Sequence, residues 1–102
     1  MVQWANKLYI GDKIKKKASH VIDSINNGKK TINVCCIAFA SQPDNLFDIM
    51  NANELLSPHY KNINIKIIGL AKDKDEAIDL VHGMIMEVYK ATGDFDVRSY
   101  FT

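Results

Sequence analysis

Residues 31–40 read TINVCCIAFA and residues 60–70 read YKNINIKIIGL, and the way these two stretches pair decides the fold. The first is almost continuously apolar, rich in β-branched side chains, and flanked by Lys29-Lys30 and Ser41-Gln42-Pro43. Such a run reads as a strand buried on both faces. The second alternates, with Ile63, Ile65 and Ile67 on one side and Asn62, Asn64 and Lys66 on the other, then turns fully apolar near Ile68. That is a strand with one wetter face, and Gly69 permits a tight exit. A parallel crossover needs about a dozen residues, and the link from Ala40 to Tyr60 is longer than that. The expected assembly is a right-handed βαβ unit with the two strands parallel.

Helices are expected around this pair. Ile14, Ala18, Val21, Ile22 and Ile25 repeat with helical spacing, Asp12 is a candidate N-cap, and Asn26-Asn27-Gly28 supplies a left-handed stop. Lys13, Lys16, Lys17 and His20 share the opposite, solvent side of that helix. Between the strands, Leu46, Ile49 and Met50, followed by Ala52, Leu55 and Leu56, predict one or two short helices from Asp44 to Pro58, with a break at Asn51 or Asn53. After Gly69, Asp73 or Asp75 caps the longest helix. It buries Ala77, Leu80, Val81, Met84, Ile85 and Val88 and ends at Thr92-Gly93. The fold class is thus α/β, one domain over residues 1–102, in the order α-β-α-β-α with a small sheet. Two strands are fewer than the three or so that make a sheet stable. Either a terminal segment, Trp4–Ile10 or the aromatic tail Asp94–Thr102, adds a strand, or two copies share an edge as a homodimer.

Composition bounds the class. The chain has 102 residues, 47% apolar and 25% charged, which suits one soluble globular core and argues against disorder. No apolar run reaches the roughly 18 residues of a membrane span. The first residues, MVQWANK, lack a basic-then-apolar leader layout, so the cytoplasm is the expected compartment. Cys35 and Cys36 are neighbours in a strand and point to opposite faces, so reduced, core-packed thiols are expected. The net charge of +1 conceals a division. Residues 1–34 hold seven lysines against two aspartates, whereas residues 35–102 hold six basic side chains against ten acidic ones. Such a dipolar field steers association.

Catalytic signatures are sparse. His20, His59 and His82 fall on three different elements with no paired metal-ligand spacing, so no metal and no cofactor are expected. Asp73, Asp75, Glu76 and Asp79 crowd the first turns of the long helix, where they complement its dipole. Gly69-Leu70-Ala71-Lys72 joins a strand to a helix with one glycine only, short of a phosphate-cradling loop. The candidate contact residues are therefore Lys13, Lys16, Lys17, His20, Lys29 and Lys30, which suit phosphates or an acidic protein surface. No set of Arg, Asn and Gln for reading base edges accompanies them.

The stretches LYIGDKIKKK (8–17), IIGLAKDKDEAIDLV (67–81) and EVYKATGDFDVRSYF (87–101) resemble a family of small proteins carried on plasmids and integrative mobile elements of Gram-positive bacteria. The resemblance spans most of the chain and attaches no chemistry to particular residues. What it implies is a setting, in which small accessory proteins bind and disarm a host defence such as a CRISPR nuclease or a restriction enzyme. The expected function is accordingly a non-enzymatic binding protein that occupies a surface of a larger host protein or nucleoprotein. The alternatives are a sequence-nonspecific nucleic-acid binder using the first helix, and a small metal-dependent nuclease using Asp94, Asp96 or a histidine.

Overall fold

Val2–Ile10 form the first strand, β1, and Cys35–Phe39, Phe47–Asn51 and Ile65–Ala71 form β2, β3 and β4. The computed structural model describes residues 2–40 and 45–101, and only the backbone of Lys61. The four strands make one sheet in the order β1-β4-β2-β3. β4 runs parallel to β1, and β2 runs antiparallel to both β3 and β4. The chain is thus a small α/β domain, and the added terminal strand is β1.

The parallel pairing expected for residues 31–40 and 60–70 is corrected: Cys36 opposes Leu70 and Ile37 opposes Gly69 in an antiparallel ladder. A long link satisfies the minimum for a crossover without requiring one. Here the link spends its first part on an extra strand. Residues 47–51 are β3, not a helix, because Phe47 and Ile49 turn to one face of the sheet and Met50 to the other. The break anticipated at Asn51 is real, since its side chain caps a 3-10 helix over Ala52–Leu56 and Glu54 closes a capping box. A short helix α2, Pro58–Lys61, then takes up Tyr60. With four strands present, the thin-sheet argument for a second copy no longer applies. Asp44 and the Ser41-Gln42-Pro43 boundary lie outside the described residues.

Helices cover both faces. On one, Ile14 and the helix α1, Ala18–Asn26, pack with Leu55 and Ala52 over Cys36, Ala38, Ile67 and Leu70. On the other, α3, Lys74–Thr92, and α4, Val97–Phe101, pack Ala77, Met84, Val88 and Val97 over Ile37, Phe39 and Ile68. α3 matches its reading closely, with Asp73 accepting from the Glu76 amide and Gly93 ending it in the left-handed region at φ 80°. α1 starts later than Asp12: a 3-10 turn at Lys15–Lys17 precedes it, and Asp12 caps nothing. The tail docks as expected, with Phe101 edge-on to Tyr9 at 5.4 Å.

One irregularity sets the middle of the sheet. Ala38 opposes Ile67 while Ile37 opposes Gly69, so Ile68 is an extra residue in β4. The bulge reverses the alternation, so Ile67 and Leu70 share the α1 face. Gly69 sits so close to its neighbours that an added Cβ would lie 3.0 Å from Ile37 Cδ1 and 3.1 Å from the Tyr9 carbonyl oxygen.

Candidate binding face

The lysine-rich segment leaves β1 through Gly11, whose amide donates to the Leu70 carbonyl at 2.9 Å. Successive turns follow, Ile14 N–H to Gly11 O and Lys17 N–H to Ile14 O, and they plunge Ile14 into the core at 2% exposure. Burying Ile14 leaves Lys13, Lys15, Lys16 and Lys17 to the solvent. The Glu76 carboxylate pins this segment to the start of α3, accepting from the Lys13 amide at 2.9 Å and from the Lys72 amide at 2.8 Å. A Cβ on Gly11 would collide with that carboxyl group. The strand-to-helix link at Lys72 is therefore occupied by the chain's own anion.

Beyond α1, Gly28 adopts φ 67° and turns the chain toward Lys29 and Lys30. Thr31 is then fastened to Asn53: its amide donates to Asn53 Oδ1 at 2.8 Å and its carbonyl accepts from Asn53 Nδ2 at 2.9 Å. Asn33 follows in the left-handed region at φ 54°, and Val34 returns to the core at 3% exposure. The reading of residues 31–40 as one buried strand is corrected here, because β2 starts only at Cys35 and Ile32 stands 84% exposed.

Lys16, Lys17, His20 and Lys30 line a concavity of about 470 Å³ whose apolar lining is Val21, Ile32 and Val34. Lys13, Lys17 and Lys72 line a smaller hollow of about 120 Å³ that shares Ile32 and Val34. Lys29 faces elsewhere, lining a third concavity of about 620 Å³ with Lys30, Leu55, Leu56 and Tyr60. Five of the six residues singled out in the sequence thus surround two adjoining hollows, and Lys29 does not. Lys72, Ile32 and Thr31 were missed. Lys72 lies in the acidic half of the chain, and the parallel pairing of β1 with β4, together with the Glu76 pin, draws it near Lys13. The left-handed tolerance of Asn33 was the one available signal that Ile32 turns outward.

The two candidate acids hold structure. Asp94 accepts from Thr92 Oγ1 and from the Asp96 amide, and Asp96 accepts from Ser99, so both acids build the turn into α4. His59 stacks edge-on against Tyr60 at 5.0 Å, and His82 is exposed on α3. Among the described residues no group of three or more His, Cys, Asp or Glu is placed to hold a metal ion. No helix among them is long and apolar enough to cross a membrane. Comparison with family models, with curated proteins and with solved structures found no match.

Two protonated groups, the buried Cys36 and the half-buried Tyr9, report on the packing instead. Burial pushes the Cys36 thiol up to about 12, from an ordinary value of 9.0. Tyr9 donates to Glu87 Oε2 at 2.9 Å and Oε1 at 3.0 Å, and burial, then that bond and the charge of Glu87, raises it from 10.0 to about 12. Both shifts are upward, so folding favours the protonated forms. The stability they supply is whole below pH 9 and is lost as pH rises toward 12. The melting temperature is expected to fall steadily between pH 9 and 12, with Tyr9→Phe flattening part of the decline. A flat profile across that range would contradict this reading of the two groups.

Proposed function

We propose that the chain is a non-enzymatic binding protein that works in the cytoplasm by occupying an acidic surface of a larger host protein or nucleoprotein. Its most specific form is an accessory inhibitor of the anti-CRISPR or anti-restriction type. The observation that supports this reading is the convergence of Lys16, Lys17, His20 and Lys30 on one concavity, with Lys13 and Lys72 adjoining. Several cations around a hollow create a positive potential that raises the encounter rate with an anionic partner and fixes its orientation.

The test is a triple reversal, Lys13→Glu with Lys16→Glu and Lys17→Glu, assayed for capture of host protein and for gel shifts of duplex DNA and RNA. The wild-type protein is expected to retain a defined host protein after nuclease treatment. The triple variant is expected to weaken that capture at least about tenfold, or roughly 1.4 kcal/mol. Undiminished capture by the variant rejects the face. Retention that disappears on nuclease treatment, with salt-dependent gel shifts, transfers the same face to phosphate-backbone binding.

A further inference from the structure

We infer that the concavity walled by Ile32 accepts an apolar side chain from an acidic protein segment, while the surrounding lysines pair with the carboxylates that flank it. The inference rests on the binding reading above and names the chemistry of the partner.

An exposed isoleucine is by itself an ordinary surface feature. Ile32 differs because its backbone is built to present it. On one side Thr31 is tied to Asn53 by two backbone bonds and a third from its hydroxyl at 3.2 Å. On the other side Asn33 holds φ 54°, the positive-φ non-glycine among the described residues. The left-handed residue lets Val34 enter the core while Ile32 stays at 84% exposure, against 37–49% for the other exposed large apolar side chains. A backbone held between two fixed points loses little freedom on binding, which is the advantage of preorganisation.

The surroundings fit an interface with an apolar centre and a charged rim. Ile32, Val21 and Val34 supply the apolar wall, and Lys16, Lys17 and Lys30 stand around it. Well-packed apolar anchors ringed by polar groups that exclude water are the usual arrangement at protein–protein hot spots. Charge complementarity then selects an acidic segment as occupant. Single-stranded nucleic acid would satisfy the lysines, but its bases dock on successive aromatic platforms, and this concavity is lined by the lone imidazole of His20 and by no Phe, Tyr or Trp among the described residues.

The experiment uses fluorescence anisotropy with three fluorescein-labelled probes: a peptide with a central phenylalanine flanked by glutamates, an all-glutamate peptide of equal length, and oligo(dT). The wild-type protein is expected to bind the phenylalanine peptide at least about tenfold more tightly than the all-glutamate one, the effect of burying one large apolar side chain. Ile32→Ser is expected to erase that advantage, with an unchanged melting temperature showing that the variant, whose side chain is 84% exposed, is folded. Equal binding of the two peptides overturns the inference and leaves the basic face standing. Tighter binding of oligo(dT), unaffected by Ile32→Ser, overturns it in favour of nucleic acid. Failure of all three probes to bind overturns the basic-face reading and the inference together.

Discussion

Ile37→Ala lowers the unfolding free energy by about 2–5 kcal/mol, the usual result of deleting a buried aliphatic side chain without full collapse of the cavity. Ile37 is 0% exposed at the centre of β2, beneath α3 and against the β4 bulge. At about 4–8 °C per kcal/mol for a domain near this size, the melting temperature should drop by at least about 8 °C. Gly69→Ala attacks the same place from the opposite direction. Its new methyl group meets Ile37 Cδ1 and the Tyr9 carbonyl, and overpacking of this kind costs about 1–3 kcal/mol. In the Ile37→Ala background one of those two obstacles is gone, so the double variant should lose less than the two single losses added together. Denaturant titration of the four proteins measures the coupling. Strict additivity would mean that the bulge does not pack as described.

Glu76→Ala is the second large effect. One carboxylate accepts the Lys13 and Lys72 amides and so holds the lysine segment against the start of α3. Removing it leaves two backbone donors to water and should cost about 1–3 kcal/mol. Glu76→Gln keeps an acceptor oxygen and should cost less. The variant also loosens the backbone that carries Lys13, so partner binding should weaken although no cation has been removed. Hydrogen exchange at the Lys13 and Lys72 amides is the direct readout. Unchanged protection in Glu76→Ala would show that other groups hold the segment.

α3 was legible because its signals are local: an aspartate cap, acids in the first turn, an apolar stripe and a terminal glycine all fall within one continuous span. The clustering of Lys13, Lys16, Lys17 and His20 was legible for a similar reason, since neighbouring turns leave little choice of direction once Ile14 and Val21 are buried. Residues 46–50 mislead toward a helix, because Leu46, Ile49 and Met50 satisfy helical spacing although Phe47 and Ile49 also satisfy alternation. Pairing with β2 settled the matter, and pairing is not written in a short run. The same holds for strand direction, which depends on how the chain returns and not on how long the link is. The bulge at Ile68 was hidden within a continuous run of apolar residues. Ile32 and Lys72 joined the face only through tertiary contacts, Thr31 with Asn53 and Glu76 with Lys13, which link residues 22 and 63 positions apart.

β1 finds its sheet partner in β4, with Val2 opposite Ile65 and Ile10 opposite Leu70. Closing so distant a pair is slow compared with forming a hairpin or a helix. Val2–Ile10 must therefore stay without their sheet partner until residues 65–70 arrive beside them. Until then Trp4 and Leu8 lack the two cores they finally pack against, so their apolar surface stays open to wrong contacts while the sheet is incomplete.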